Sequence, residues 1–275
     1  MHTSTLIFRI SLAVLLLAGS LSASARKTRI HSHNDYEQAR PFWGAYEAGA
    51  ASIEADIWLV DGILHVAHNR KDISPNRLLK DMYLEPIRQV MERNGGKAYP
   101  KGRPLQLLVD LKTDASTLDA LISLIREGGY TACFNVKDNP NAVQIVITGD
   151  KVKKEHFCNY PDFIFFDGLP HIDYTPEERK RVPMVSAHYG KFTKWKGTGQ
   201  MDKADQKRIK EAVRKAHKAV KSPSKQLHAL LMGHIQPLQQ RKLLAVRLEF
   251  GNGFSKGLSF CHKMPHSVVW GASVL

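Results

Sequence analysis

The chain is poor in cysteine, in long apolar runs and, toward its C-terminus, in acid. Each shortage narrows what it can be. Three cysteines in 275 residues, Cys133, Cys158 and Cys261, are too few for a disulfide scaffold, and none has the paired spacing of a zinc site. One bridge stays open, with Cys133 and Cys158 as the natural pair in an oxidising compartment. The N-terminal apolar run, Ile10–Ala18, falls well short of the roughly 18 residues that span a membrane. His2 and Arg9 precede that run and Ser22-Ala23-Ser24-Ala25 follow it. This is the layout of a signal peptide over residues 1–25, cleaved before Arg26, and it predicts export to a periplasmic or secreted location. No cysteine follows the small residues, so a lipid anchor is not indicated.

Acid is scarce overall. Asp and Glu number 26 against 40 Lys and Arg, for a net charge of +14. An excess of that size invites a nucleic-acid reading, but no nucleic-acid motif is present and the charges fall mainly on predicted helices, as on a solvated surface. The basic surface suits an anionic substrate, a small-molecule or lipid phosphodiester, and peripheral contact with a membrane surface. Composition does not bear on the oligomeric state. From Val220 onward the shortage is acute: seven Lys/Arg stand against the single acid Glu249, and no clean strand–helix alternation is visible. The abrupt shift marks residues 220–275 as an atypical basic segment and predicts a frameshift, with a divergent basic tail as the alternative.

What the chain does have is rhythm. Strand-like runs at Thr28–His31, Ser52–Leu59, Leu105–Leu111, Val143–Thr148, Phe163–Phe166 and Met184–Ser186 alternate with helix-like runs at Pro41–Ala48, Leu78–Asn94, Ser116–Glu127 and Asp202–Ala219. The strands are apolar throughout rather than alternating, as in parallel sheets covered on both faces. The expected fold is α/β: a (β/α)8 TIM-type barrel over residues 26–219, with incompleteness at its C-terminal end left open and a doubly wound sheet as the other reading. Asp61-Gly62 between Ile57–Val60 and Ile63–Val66 is a two-residue hairpin signature. Counting outward from that turn sets Ala67 opposite Asp56 and brings His68 back to the Glu54/Asp56 region. Asp114-Ala115-Ser116 with Asp119 marks a helix start.

Chemistry-bearing residues gather at the strand ends. Residues i and i+2 of a strand share a face, so His31 pairs with His33, Glu54 with Asp56, and Asp110 with Lys112. Polar pairs at the ends of apolar strands are costly unless something binds them, and a metal with an anionic substrate meets that need. Carboxylates and an amide oxygen suit a hard cation, Mg²⁺ or Ca²⁺, with Glu54, Asp56 and Asp110 as ligands and Asn34 as a further one. Two histidines beside such a cation can act as general base and general acid, and Lys112 can neutralise a phosphate oxygen. Asp167-Gly168, His171, His188, Tyr189 and Trp195 follow later strands and are candidates for the substrate mouth. Each of them alone is equally at home as an ordinary loop residue.

Ser32-His33-Asn34-Asp35-Tyr36, Glu54-Ala55-Asp56, His68 and Asp110-Leu111-Lys112 resemble the active-site signatures of the PLC-like phosphodiesterase superfamily. That group includes phosphatidylinositol-specific phospholipases C, glycerophosphodiester phosphodiesterases and spider-venom phospholipase-D toxins. The resemblance covers roughly residues 26–219 and is closest to an uncharacterised H-S-H-N-D-Y branch. It implies metal ligands Glu54, Asp56 and Asp110, with Asn34, and catalytic histidines His33 and His68. His31 is the competing candidate on the first strand, and Lys112 is the neighbouring lysine. The arginine that follows the first histidine of the glycerophosphodiesterases is missing, since Ser32 follows His31 and Asn34 follows His33. What the resemblance implies is acid–base cleavage of a glycerophosphodiester- or phospholipid-type substrate.

Two rivals belong to other classes. A zinc amidohydrolase-like barrel also ends its first strand in His-x-His, but it needs later histidines, for which His188 is the good candidate, and it fits the Glu-x-Asp pair poorly. A catalytically inactive barrel that binds a phosphorylated ligand is the other, and the retained histidine pair speaks against it.

Overall fold

Short apolar runs separated by amphipathic ones become one curled sheet with helices against it in the computed structural model, which describes residues 30–149, 151–195, 200–219, 228–235 and 242–248. In chain order these are β1 (His31–Ser32), α1 (Trp43–Glu47), β2 (Ser52–Val60), β3 (Ile63–Val66), α2 (Glu85–Arg93), β4 (Leu105–Leu111), α3 (Ser116–Glu127), α4 (Thr131–Phe134), β5 (Val143–Thr148), β6 (Ile164–Gly168), α5 (Pro176–Lys180), β7 (Met184–His188), α6 (Lys203–Ala219), β8 (His228–Ile235) and β9 (Lys242–Leu248). The strands pair in the order β1-β2-β4-β5-β6-β7-β8-β9, parallel as far as β8, and β3 folds back on β2 as an antiparallel hairpin.

The class is α/β, but the closed (β/α)8 barrel expected from the rhythm is not formed. The described strands make a curled, open sheet with β1 at one edge and β9 at the other. The reason lies at the two ends of the path. At the first, β1 contributes only the two positions that pair with Ser52 and Ile53. At the last, β9 runs antiparallel to β8 across residues 236–241, a connection too short for the crossover of about a dozen residues that a further parallel strand needs.

Both faces of the sheet are covered, which is why its strands carry little alternation. On the outer face Ile53, Ile57, Leu107, Val109, Ile145 and Ile147 pack with Leu118, Leu121, Ile122 and Ile125, which recur at helical spacing along α3. Each such side chain contributes about 1.5–3 kcal/mol by burial. On the inner face Leu108, Val146 and Met184 form a smaller cluster with Phe165. The inner face therefore has an apolar floor, and the polar strand ends lie beyond it.

Local signals explain the element boundaries. Asp61 and Gly62 both have positive φ, 50° and 78°, which suits a tight turn between Val60 and Ile63. The helix expected over Leu78–Asn94 starts instead as a π-turn at Lys80–Leu84, where the Glu85 N–H donates to Lys80 O. Pro86 has no N–H to continue the ordinary ladder, and the wider turn absorbs that break. Cys133 is buried, Cys158 is exposed, and their thiols are unpaired, so the bridge left open by the sequence is not made. The signal-peptide segment 1–25 lies outside the described residues. So does the 220–275 segment apart from β8 and β9, which pair there although its sequence shows no clean alternation. Among the described residues no helix is long and apolar enough to cross a membrane.

Candidate active site

The parallel strands deliver their C-terminal ends to one mouth. Asp56 on β2 is the register partner of Asp110 on β4, which in turn partners Thr148 on β5. Glu54 lies two residues earlier, on the same face, level with Leu108 of the inner floor.

Glu54 is the first hub. It is 4% exposed, and its Oε2 lies 3.5 Å from His31 Nε2, 3.4 Å from His33 Nε2 and 3.4 Å from the Asn34 backbone N–H. Burial acts to raise its carboxyl, but the contacts with His31 and His33 outweigh burial and hold it below the usual value. Both histidines thus face one carboxylate, His31 from β1 and His33 from the turn that follows it. They differ in setting. His31 is 3% exposed and its Nδ1 lies 2.8 Å from Ser52 Oγ, whereas His33 is less deeply covered. The deeper ring is anchored within the fold, and the shallower ring is better placed to meet a ligand.

Asp56 is the second hub. Its Oδ2 accepts from the Tyr36 hydroxyl at 2.7 Å and lies 3.0 Å from His68 Nδ1 and 2.8 Å from Lys112 Nζ. Its Oδ1 is buried and has no hydrogen-bond partner among the described residues. Burial raises the Asp56 carboxyl, opposed by Lys112 and reinforced by the Glu54 charge. Tyr36 also stands 3.3 Å from His68 Nδ1, and its phenol is pushed far up by burial and by Asp56. The hairpin brings His68 here as the turn count predicts, with Ala67 N–H bonded to Asp56 O. His68 is half exposed while its Nδ1 is held, so Nε2 is the nitrogen left for proton traffic.

Lys112 lies between Asp56 and Asp110 and donates to both. Burial would lower its pKa, but the two carboxylates win and raise it, so the ammonium is fixed as a cation. Asp110 is raised by burial against the pull of Lys112. Its room comes from Gly149, where φ is +89° and any Cβ would stand 2.8 Å from Asp110 Oδ1.

The loop after β1 is built to aim these groups. Asn34 takes the left-handed conformation at φ 46°, a region asparagine tolerates. Phe42 is fully buried at φ 59°, a strained conformation for a bulky residue costing about 1–3 kcal/mol. Asp35 holds both ends: its Oδ1 accepts from Ser32 Oγ at 2.7 Å, and its Oδ2 accepts from the Phe42 N–H at 2.6 Å and the Tyr83 hydroxyl at 3.0 Å. Sequence reasoning assigned no role to Asp35 or Tyr36, although both sit in the run that carries the histidines.

A hard cation can be tested against this donor set. Three carboxylates at one mouth and the orphaned Asp56 Oδ1 fit one chemically. Among the described residues, though, no three His, Cys, Asp or Glu side chains converge on a point that could hold a metal ion, and Lys112 supplies the positive charge between Asp56 and Asp110. The other expected mouth residues scatter. His171 is exposed, His188 ends β7 with its Nδ1 accepting from the Gly190 N–H, and Trp195 packs on the outer core. His188 ends β7, and among the described residues it joins no group of three His, Cys, Asp or Glu side chains that could hold a metal ion.

A model of the AIM6-like phosphodiesterase domain matches residues 20–167. Curated relatives include the protein "Altered inheritance of mitochondria protein 6" of Eremothecium gossypii, 42% identical over 79 residues, which are 28% of this chain and 20% of that one. A homolog of that protein in Arthroderma benhamiae is 26% identical over 164 residues, half of this chain and 52% of its own, and the Lachancea thermotolerans protein is 28% identical over 176 residues, 52% and 41%. The chain spans about half the length of these relatives or less. No solved structure matches.

Proposed function

This chain belongs to the AIM6-like phosphodiesterase domain family, and from that premise we propose that it is an exported enzyme cleaving a small or lipid phosphodiester by histidine acid–base catalysis. The observation that carries the reading is the pairing of two exchangeable imidazoles with two buried carboxylates: His33 with Glu54 at 3.4 Å, and His68 with Asp56 at 3.0 Å. A carboxylate behind each ring fixes its orientation, which is what a general base and a general acid require.

The reaction follows from that layout. The substrate carries a hydroxyl next to the phosphorus. As that oxygen attacks, one imidazole takes its proton, and the other imidazole protonates the departing oxygen, giving a cyclic phosphodiester and an alcohol. Lys112, held cationic by Asp56 and Asp110, offsets the charge that develops on the phosphoryl oxygens. Glu54, Asp56 and Asp110, with Asn34, are oxygen donors of the kind that hold Mg²⁺ or Ca²⁺; they would have to draw together to hold one, since they do not converge in the structure, and the ion when bound would supply further charge neutralisation at the phosphoryl group. The basic surface favours approach to anionic lipid interfaces.

The test is turnover of a panel of glycerophosphodiesters, lysophospholipids and phosphoinositides by purified protein, with and without chelator. Activity on one of these that falls with chelator and returns with Mg²⁺ or Ca²⁺ is the expected result. Undiminished turnover in chelator removes the metal from the reading, and no turnover on any phosphodiester removes the function.

A further inference from the structure

Across the sheet from the histidines, three strands bring hydroxyls and one carboxylate together. Asp167 lies on the inner face of β6, two residues beyond Phe165 of the apolar floor. Its Oδ2 accepts from Ser186 Oγ on β7 and from Thr148 Oγ1 on β5 at 3.3 Å. Thr148 is the register partner of Asp110, so this cluster continues the row of polar strand ends that begins at Asp56. Ser186 is buried, and Asp167 as a whole is only partly so. The other oxygen, Asp167 Oδ1, is shut from solvent and has no hydrogen-bond partner among the described residues. No cation is paired with Asp167 among the described residues.

We propose that Thr148, Asp167 and Ser186 form a subsite for the alcohol part of the substrate, a neutral hydroxyl-bearing group whose O–H completes Asp167 Oδ1. This deepens the proposed function and rests on its reading that the mouth takes a phosphate ester. The argument is one of satisfaction. A buried carboxylate oxygen without a donor is costly, and folded proteins keep such costs mainly where a ligand removes them. The chemistry of the missing donor follows from the donors already present. They are two hydroxyls and the Ser186 backbone N–H, all neutral, where Asp56 on the other side of the mouth has a lysine. Burial, with help from the Glu54 charge and against the Ser186 and Thr148 hydrogen bonds, pushes the Asp167 carboxyl up to about 7. The group is therefore in both protonation states near neutrality. A hydroxyl, which donates to the carboxylate and accepts from the acid, suits both, whereas an ammonium group suits only one. In a polyol phosphate the phosphate would meet Lys112 and the histidines, and a hydroxyl would meet Asp167.

The experiment is calorimetric binding of three probes to the intact protein: glycerol 1-phosphate, ethyl phosphate and phosphoethanolamine. Glycerol 1-phosphate is expected to bind about tenfold more tightly than ethyl phosphate, the value of one or two hydrogen bonds to a carboxylate. Asp167→Ala and, separately, Ser186→Ala should bring its affinity down to that of ethyl phosphate. Equal binding of glycerol 1-phosphate and ethyl phosphate by the wild type overturns the subsite while leaving the phosphate reading intact. So does a preference that survives both substitutions, or a preference for phosphoethanolamine, which would make the subsite cationic in its choice. Binding of none of the three sinks the proposed function and the subsite together. Should Asp167→Ala not fold, as a thermal scan would show, Thr148→Val and Ser186→Ala carry the same comparison.

Discussion

Two carboxylates on the inner face of one sheet, Asp56 on β2 and Asp167 on β6, have been given opposite surroundings. Each has one oxygen served and one orphaned. Asp56 Oδ2 takes a phenol, an imidazole and an ammonium, while Asp167 Oδ2 takes two aliphatic hydroxyls. In the first-half mouth, from β1 to β4, the carboxylates are thus surrounded by charged and cationisable groups, and in the second half, from β5 to β7, Asp167 is surrounded by neutral hydrogen-bonding groups. The lesson is a division of labour along a single sheet. Charge chemistry is concentrated where the strands are joined by the β1 loop and the β2–β3 hairpin, and neutral recognition lies where the connections are plain.

The sharpest way to break that comparison is to remove the proton-transfer groups. His33→Ala or His68→Ala should cut turnover by about 10²–10⁴ with the melting temperature nearly unchanged, because both rings act in the transition state and neither is in the core. Substituting His31 should do less to turnover and more to stability, since its ring is buried and bonded to Ser52. If His31→Ala abolishes turnover and His33→Ala is tolerated, the catalytic first-strand residue is the deeper one.

Next in size is the loop that aims those rings. Asp35→Ala should lower stability by about 3 kcal/mol in chemical denaturation, because it strands the buried Phe42 N–H and the Tyr83 hydroxyl and frees a strained segment. Asp35→Asn should recover part of that loss. An Asp35→Ala protein of unchanged stability would remove the loop's anchor from the account.

How much of this could be read in the sequence depends on how local the cause is. β4, β5 and α3 run over Leu105–Leu111, Val143–Thr148 and Ser116–Glu127 as the apolar spacing predicts, because burial on a face is written in adjacent residues. The return of His68 to Asp56 was legible because Asp61-Gly62 fixes the pairing count. Sheet closure was not legible. It depends on whether the last strand finds the first, and here β9 turns back on β8 instead. The Tyr36–Asp56 bond needs the left-handed turn at Asn34 and the Asp35 anchor, neither of which has a periodic signature. Asp167 stood out as a strand-end acid, but its partners Thr148 and Ser186 come from two other strands, and only the register brings them together.

A smaller effect separates the two carboxylates by pH. Asp167 titrates near 7 in the fold against an ordinary value of 3.8, so the folded state holds its proton more tightly than the unfolded chain. Its contribution to stability is fully present below pH 4 and is lost as pH rises through 7. Discounted for the partial exposure of Asp167, the loss should be about 2 kcal/mol. Asp167→Asn, which cannot titrate, should flatten that part of the stability–pH curve in denaturant titrations between pH 4 and 8. A wild-type and variant pair with parallel curves would show that Asp167 is an ordinary carboxylate.

The smallest expected change is the most discriminating. Tyr36→Phe removes one of the three donors on Asp56 Oδ2 and leaves His68 and Lys112 in place. A hydrogen bond to a charged group contributes about 1.5–3 kcal/mol when nothing replaces it, but here two cationic or cationisable neighbours already satisfy the same oxygen. The loss of stability should therefore be only about 1 kcal/mol. The effect on turnover should take a particular form. Without the phenol, His68 is oriented by Asp56 alone, so kcat should fall by about tenfold with little change in KM, and the acid limb of the pH–rate profile should shift because the Asp56–His68 pair has lost a partner. Ser186→Ala on the other side of the mouth should do the reverse, raising KM for a hydroxyl-bearing substrate with kcat little altered. If both variants change the same kinetic constant, charge handling and recognition are not divided between the two halves of the sheet.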